Sequence, residues 1–402
     1  MKILGSLSRW PASLMWAMPL ISLVVVMTLA GQESRSHSDG TSKASAEFFQ
    51  LPTAIDKRIW GRRIPQNNPI TTLKVTLGRT LFFDRRLSID GSVSCATCHD
   101  PANAFTDHKS VAIGVLGRSG TRNVPTILNA MFSDQLFWDG RAGSLEEQAK
   151  QPLTNRFEMG MGSEKAVVSR VAAIPRYRSA FQVVFQNEGI TIDTIAKAIA
   201  AFERTQLSGN SPFDRFISGN PEALSEAQQH GWLVFKSKAR CVECHTYNPA
   251  SPFFTDFKFH NTGLAISDKN LKILMNQVTE IQRSNKEALS LLNHTEGVSE
   301  LGRYLVTQNP KDVGAFKTPT LRDIELTGPY MHNGSQKTLL DVVKFYVKGG
   351  GPNSNLDERI RPLNLTDPEI SDLVEFVRAL TSDDILRETQ SARPQTRSAA
   401  PR

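Results

Sequence analysis

Residues 95–99 read Cys-Ala-Thr-Cys-His, and residues 241–245 repeat the pattern as Cys-Val-Glu-Cys-His. The two copies use all four cysteines of the 402-residue chain. Thiols at this spacing can each add to a vinyl group of a haem, and the adjoining histidine then becomes the proximal ligand of the iron. Four cysteines in a secreted chain otherwise suggest two disulfides, or a pair of redox or zinc sites. A histidine after each pair favours two covalently bound c-type haems, held by Cys95, Cys98, His99, Cys241, Cys244 and His245.

Both motifs follow a segment with helical spacing of apolar residues. Residues 78–82 (Gly-Arg-Thr-Leu-Phe) precede the first motif, and residues 231–235 (Gly-Trp-Leu-Val-Phe) precede the second. Near the end of the chain, Thr366 and Glu369 have the form of a capping box that begins another helix. A helix before the motif and a helix that closes the domain is the layout of a cytochrome c fold. We therefore predict a mainly α protein of two cytochrome c-like haem domains related by duplication.

The two predicted domains are unequal. The N-terminal haem domain spans 47–206 and includes an extra helical segment at about 122–205, whereas the C-terminal haem domain spans 207–382. Residues 383–402 are rich in Ser, Ala, Pro, Gln and Arg, which predicts a disordered tail. Residues 267–300 have a helical pattern to which the sequence assigns no role.

The N-terminus predicts an export signal. Lys2 and Arg9 precede a long uncharged apolar run, after which the chain turns polar. A cleaved signal of residues 1–30 and an uncleaved membrane anchor both fit this run, and Pro11 and Pro19 weigh against the anchor. The working part of the chain is therefore expected in the periplasm.

The net charge of +7 does not predict nucleic-acid binding. Part of the charge lies in the signal and the C-terminal tail, and two haems would add acidic propionates. No basic run with interleaved aromatic residues occurs. Nucleic acid is therefore excluded as a partner.

Further segments carry a family resemblance. In chain order they are Leu81-Phe-Phe-Asp84, Arg122-Asn-Val-Pro-Thr126, Phe137-Trp-Asp-Gly-Arg141, Gln148, Glu158, Ser211-Pro-Phe-Asp-Arg-Phe216, Phe316-Lys-Thr-Pro-Thr-Leu-Arg322 and Gly328-Pro-Tyr-Met-His332. With the two haem motifs, their order and spacing resemble the bacterial dihaem cytochrome c peroxidases and their relative MauG, which matures tryptophan tryptophylquinone. The resemblance extends from about residue 77 to residue 382.

The resemblance implies that the N-terminal haem is the peroxide site and that the C-terminal haem transfers electrons. It places Glu158 and Gln148 on the open side of the first haem, where a carboxyl group in a partly dry pocket can move a proton between the peroxide oxygens. Without the resemblance, both residues would be interpreted as parts of solvated helix faces. Trp138 matches a tryptophan between the two haems, although a tryptophan after a phenylalanine is also typical of a core.

The resemblance also implies one calcium ion between the haem domains. Asn123, Thr327 and Pro329 match its protein ligands, and the last two are expected to use backbone carbonyls. Oxygen donors suit this hard cation, and the small number of carboxylates predicts modest affinity.

The chain departs from the family pattern at the open face of the first haem. Val115 stands where reductively activated peroxidases place a histidine ligand. Because valine cannot ligate iron, the first haem is predicted to be five-coordinate. His108 is nearby in sequence, but it does not stand at the position of the family's histidine ligand. A solvated position in a loop is the simpler interpretation of this residue. His260, His294 and Met159 receive no role.

A second departure concerns the sixth ligand of the second haem. Tyr346 stands where ordinary peroxidases have a methionine and where MauG has a tyrosine, whereas Met331 is the nearby alternative. An anionic tyrosine ligand stabilises oxidised iron, whereas methionine raises the potential. Ala239 stands where MauG has the tryptophan that passes oxidising equivalents to its protein substrate, so this position does not support a protein-modifying role.

The leading interpretation is a dihaem c-type peroxidase that reduces hydrogen peroxide to water with electrons from a small exported c-type cytochrome or cupredoxin. One alternative is MauG-like, peroxide-dependent oxidation of a protein side chain. Another is a non-catalytic dihaem electron carrier, which the pocket residues disfavour. The resemblance leaves the oligomeric state open, a homodimer included.

Overall fold

The chain is mainly helical, as the sequence predicts. A computed structural model describes residues 50–264, 273–279, 292, 294 and 297–392. The α-helices with both ends in these residues are α1 (Lys57–Arg62), α2 (Thr72–Phe82), α3 (Cys95–Cys98), α4 (Leu145–Thr154), α5 (Glu164–Ala172), α6 (Pro175–Phe185), α7 (Ile192–Glu203), α8 (Pro212–Ile217), α9 (Glu226–Lys236), α10 (Tyr304–Thr307), α11 (Leu339–Val347), α12 (Asp367–Arg378) and α13 (Asp383–Ala392).

The described β structure includes one small antiparallel ladder. Strand β1 (Phe259–His260) pairs with β2 (Phe316–Lys317), so that Phe259 lies opposite Lys317. Short 3₁₀ turns connect many of the helices, and the protein is therefore held together by helix packing and loop hydrogen bonds rather than by a sheet.

Two close helix crossings organise the fold, one in each half of the chain. Helix α2 packs against α7, and α9 packs against α12. A Cβ atom at Gly78 would lie 1.9 Å from the carbonyl oxygen of Ala198, and a Cβ atom at Gly231 would lie 1.9 Å from that of Asp372. Each crossing therefore needs a glycine, because any side chain would force the helices apart. The duplication and the division into domains 47–206 and 207–382 remain predictions.

Each crossing is surrounded by its own apolar cluster. The first cluster contains Phe82, Val115 and Phe202 and lies beside residues 95–99. The second is centred on the fully buried Phe213, which makes edge-to-face contacts with Trp232, Tyr247, Phe254 and Phe376. Edge-to-face pairs stabilise such clusters beyond the apolar area that they bury.

A buried ion pair connects α8 to the loop after β2. The guanidinium of Arg322 donates to the Asp214 carboxylate at 2.7 and 2.8 Å, and its Nε donates to the Pro252 carbonyl at 2.6 Å. Both side chains are almost fully buried. Burial raises the pKa of Asp214, but hydrogen bonds from Arg322 and Ser211 outweigh it and hold that pKa below its usual range.

The C-terminal tail differs from its prediction. Residues 383–392 form helix α13, with Ile385 and Thr389 buried, and the helix packs against the turn Pro101–Asn103. Arg215 donates to Asp383 at 2.7 Å, which ties the start of the helix to α8. The prediction of disorder is therefore wrong for this stretch, because a few buried side chains outweigh its polar composition. Residues 393–402 lie outside the described residues.

Two other predictions concern segments that lie wholly or largely outside the described residues. The export signal at 1–30 lies outside them, and so does most of the segment 267–300. In the described part of the chain, no helix is long and apolar enough to cross a membrane.

We expect Arg322→Met to lower the free energy of unfolding by about 3–5 kcal/mol, because it leaves the Asp214 carboxylate buried without its cation. Denaturant unfolding of the haem-loaded protein at neutral pH measures this loss. Arg58→Met is the matched control, since Arg58 pairs with Asp56 at the surface and is 86% exposed. The control should change the unfolding free energy by less than about 1 kcal/mol. Equal effects of the two substitutions would contradict the stabilising role of the buried Arg322–Asp214 pair.

Candidate active site

Two cavities lie beside the two Cys-x-x-Cys-His segments. The first, of about 180 Å³, is lined by Cys95, Cys98 and His99 together with side chains from α4 and the loops around it. The second, of about 280 Å³, is lined by the corresponding residues Cys241, Cys244 and His245. None of the four cysteines forms a disulfide. Each cavity is thus lined by the two cysteines and the histidine of one motif, which is the donor set that a c-type haem requires.

The two histidines are oriented in the same way. The Nδ1 atom of His99 lies 3.2 Å from the carbonyl oxygen of Phe105, and Nδ1 of His245 lies 3.0 Å from that of Phe254. Both phenylalanines have left-handed backbone conformations, with φ of 60° and 52°, which a bulky residue rarely adopts. Because a carbonyl can only accept, the proton lies on Nδ1 and Nε2 is left for the iron.

Burial also favours the neutral form of both imidazoles. It lowers the pKa of His99 to about 4 and lowers the pKa of His245 below its ordinary value. Neutral imidazole is the form that ligates a metal. The tautomer, the protonation state and the neighbouring thiols therefore all fit a covalently bound haem in each cavity.

Glu158 and Gln148 both line the first cavity. Gln148 lies on α4, whose N-cap is Ser144; the Ser144 hydroxyl accepts a hydrogen bond from the backbone N–H of Glu147 at 3.1 Å. Glu158 lies in the loop after α4, where its Oε1 accepts a hydrogen bond from Asn155 at 2.8 Å. Burial raises the pKa of Glu158, and the opposing effects of Arg141 and Asn155 are smaller. Its carboxyl group therefore titrates closer to neutrality than a solvated glutamate.

Val115 is fully buried and packs in the first apolar cluster. Its backbone N–H donates to the carbonyl of Glu158 at 2.9 Å, which ties the two loops together. His108 lies elsewhere, with Nε2 2.8 Å from the carbonyl oxygen of Leu326, and the residues that line the first cavity do not include it. A five-coordinate first haem remains a prediction.

A histidine that the sequence analysis left without a role lines the first cavity. His294 lies with its Nε2 atom 3.6 Å from Oε1 of Glu158, and its ring stacks on Phe157 at 5.0 Å between centroids. Sequence reasoning missed it because it belongs to the 267–300 segment, where a lone histidine in a helical pattern carries no chemical signal. Only tertiary contacts bring it to Glu158.

The second cavity receives Tyr346 from α11 and also Met331 from the loop after residue 328. Burial raises the pKa of the Tyr346 phenol. The structure brings both candidate ligands to one cavity, so the choice of Tyr346 remains a prediction. His260 lines this cavity as well, but Asp256 and Asp357 bind both of its ring nitrogens, at 2.9 and 2.8 Å.

Trp138 lines both cavities. Its indole N–H donates to the backbone carbonyl of Asn123 at 2.9 Å, and its ring meets His332 edge-on at 6.4 Å. His332 in turn stacks on Phe316 at 3.6 Å and hydrogen-bonds Glu300 at 2.8 Å. A continuous set of aromatic rings therefore lies at the wall between the cavities.

The three calcium ligands that the resemblance implies, Asn123, Thr327 and Pro329, all line the second cavity. The side-chain amide of Asn123 donates from Nδ2 to the Lys109 carbonyl at 2.8 Å, so Oδ1 is the atom that it can offer to a cation. Among the described residues, no group of three or more His, Cys, Asp or Glu side chains is arranged to hold a metal. Calcium binding remains a prediction.

Comparison with known proteins identifies the family. Residues 72–222 match the model of the di-haem cytochrome c peroxidase family. The chain is 37% identical to the cytochrome-c peroxidase IdrP1 of Pseudomonas sp. (strain SCT), over 80% of this chain and 84% of that one. It is 38% identical to the methylamine utilization protein MauG of Methylophilus methylotrophus, over 83% and 88% of the two chains.

A solved structure supports the same relation. It belongs to a MauG-like protein associated with microbial copper homeostasis, with 33% identity and a TM-score of 0.67, and the match covers 81% of this chain and 93% of that one. With its two thiol–imidazole cavities, this chain therefore belongs to the di-haem cytochrome c peroxidase family and is an oxidoreductase of the cytochrome-c peroxidase type, with peroxide as acceptor.

Proposed function

We propose that the protein reduces hydrogen peroxide to water in the periplasm, with electrons from a small exported c-type cytochrome or cupredoxin. The observation that carries the proposal is that Trp138 lines both cavities while Glu158 and Gln148 line the first. The two haems supply the redox centres that hold and exchange electrons. The second cavity would receive electrons from the donor, and the first would receive peroxide.

Glu158 is the residue that we assign to proton transfer. Reduction of hydrogen peroxide consumes two electrons and two protons and releases two water molecules. The O–O bond breaks readily only when the departing oxygen is protonated, so a nearby base must take a proton from one oxygen and deliver it to the other. Glu158 is partly buried at the cavity, with its side chain 25% exposed, and has a raised pKa, and Gln148 can orient the peroxide by hydrogen bonding.

Trp138 is the residue that we assign to electron transfer between the two sites. It borders both cavities, and its hydrogen bond to Asn123 holds the indole in place. His332 and Phe316 extend the aromatic contact on the side of the second cavity. The tryptophan is therefore a packed residue of this wall, and its position beside both cavities supports its role in electron transfer.

MauG-like oxidation of a protein side chain is the second candidate. The presence of Tyr346 in the second cavity favours it, whereas Ala239 in the same cavity offers no aromatic ring for transfer to a protein substrate. A non-catalytic electron carrier is the third candidate, and the partly buried carboxyl group of Glu158 at the first cavity, with its raised pKa, argues against it.

We expect Glu158→Gln to lower kcat/KM for peroxide by about 10²–10⁴-fold, because the amide cannot accept the proton. Steady-state oxidation of a reduced small c-type cytochrome measures this loss. In the native enzyme, activity should fall as the pH drops through the raised pKa of Glu158, at a higher pH than a glutamate with the ordinary pKa of 4.5 would give. This fall in activity at low pH, the acid limb of the pH profile, should be absent from the residual activity of the variant.

The matched control is Glu188→Gln, since Glu188 pairs with Lys197 at the surface and is 54% exposed. Its kcat/KM should stay within about twofold of the native value. An unchanged acid limb in Glu158→Gln would assign the titration to another group and contradict the proposed role.

We expect Trp138→Phe to slow cytochrome oxidation at least tenfold, because phenylalanine is smaller and lacks the N–H that bonds Asn123. Trp60→Phe is the control, because Trp60 is buried in a separate apolar cluster. Turnover with both variants at saturating peroxide is the measurement.

Rapid peroxide consumption by the native protein without cytochrome oxidation would favour the MauG-like reaction, and no reaction with peroxide would favour the carrier.

We also propose that one calcium ion binds through Oδ1 of Asn123 and the backbone carbonyls of Thr327 and Pro329. Asn123 is the residue whose carbonyl holds the indole of Trp138, so the ion would stabilise the wall between the cavities. We expect a chelator to lower turnover and added Ca²⁺ to restore it, whereas Mg²⁺ should fail because it demands a tighter octahedral shell. Calorimetric titration of the chelated protein with Ca²⁺ tests binding directly, and no heat of binding would contradict the site.

A further inference from the structure

His294 lies beside the proposed acid–base residue and has a defined tautomer. The backbone N–H of Phe157 donates to Oδ1 of Asn155 at 2.9 Å, which identifies the other amide atom of Asn155 as nitrogen. That nitrogen donates both to Oε1 of Glu158, at 2.8 Å, and to Nε2 of His294. Because an amide nitrogen can only donate, Nε2 of His294 is an acceptor. The proton of the neutral imidazole therefore lies on Nδ1.

The Nδ1 atom of His294 is buried and has no hydrogen-bond partner among the described residues. The side chain is only 10% exposed, and it lines the first cavity. A buried donor without a partner is rare in proteins, and at a cavity wall it points to a ligand that accepts the bond. One face of the ring is covered by Phe157, which fixes its orientation.

The surroundings keep the imidazole neutral, so it acts as a hydrogen-bond donor and not as a cation. Burial lowers the pKa of His294 to about 4, and the guanidinium groups of Arg141 and Arg122 lower it further. Both arginines are bound to the buried Asp139 carboxylate, so their position relative to the cavity is fixed.

We propose that His294 is a peroxide-binding residue, which donates its Nδ1–H to a peroxide oxygen in the first cavity while Asn155 links its Nε2 atom to Glu158. The proposal rests on the peroxidase function proposed above and adds a second polar contact for the substrate beside Gln148. The proton that moves during O–O cleavage is still carried by Glu158. His294 keeps its own proton and stabilises the negative charge that develops on the oxygen.

The test compares His294→Phe with His294→Asn in the haem-loaded, full-length protein. Phenylalanine keeps the stacking on Phe157 but removes the donor, whereas the amide of asparagine can donate from a position close to that of Nδ1. The measurements are the second-order rate constant of the reaction with peroxide, by rapid mixing, and the affinity of the oxidised protein for inorganic fluoride. Fluoride is a small anion whose binding is strengthened by a hydrogen-bond donor and requires no turnover.

We expect His294→Phe to lower both the peroxide rate constant and the fluoride affinity at least tenfold, and His294→Asn to restore most of each. His230→Phe is the matched control, since His230 is 49% exposed and pairs with Asp372 on α12. Haem content and the Tm of each variant report whether the fold is retained. If the phenylalanine variant does not fold, His294→Ala replaces it, because alanine also lacks the donor.

Values within twofold of the native protein for a folded variant without the donor would overturn the proposal. The fluoride titration separates this result from a failure of the proposed function. Loss of fluoride affinity in a protein that does not oxidise a cytochrome would retain the donor and reject the peroxidase reaction. Unchanged fluoride affinity together with normal turnover would reject the donor role of His294 and retain the peroxidase reaction.

Discussion

The wall between the two cavities depends on the buried carboxylate of Asp139. This side chain is fully buried and accepts hydrogen bonds from Arg122 at 2.6 Å and from Arg141 at 3.0 and 3.1 Å. Arg303 donates to the backbone carbonyl of the same residue at 2.9 Å. Burial alone would raise the pKa of Asp139, but the two arginines hold it below its ordinary value. Because an unpaired buried carboxylate is strongly destabilising, Asp139 requires both arginines and holds them in place.

This pairing affects both the proposed electron transfer through Trp138 and the proposed peroxide chemistry of the first cavity. Trp138 precedes Asp139 in the chain, and Asn123, which accepts the indole N–H, follows Arg122. Arg141 also offsets part of the rise in the pKa of Glu158 that burial causes. Together with Arg122, it lowers the pKa of His294. One buried ionic cluster therefore positions the aromatic route between the cavities and sets the charge around the peroxide pocket. Such an arrangement places fixed charges around the site before the substrate arrives.

The two halves of the protein reach similar local solutions with different sequences. Gly78 and Gly231 permit the same close approach of two helices. Phe105 and Phe254 adopt left-handed conformations and direct their carbonyls at the two proximal histidines. The glycines stand at corresponding places before each motif and are recognisable in the sequence. The phenylalanines are not, because nothing in their surroundings predicts a positive φ for a bulky residue.

The sequence by itself determined the helical class and the family and predicted the haem attachment sites, because thiol spacing, helical periodicity and ordered motifs are local properties of the chain. Through the resemblance it also singled out Glu158, Gln148 and Trp138, which line the cavities and whose roles remain predictions. Only the tertiary structure decided that α13 folds back onto the first half, that Met331 reaches the same cavity as Tyr346, and that His294 joins Glu158. These features depend on contacts between residues far apart in the chain, and neither composition nor periodicity encodes which distant side chains meet.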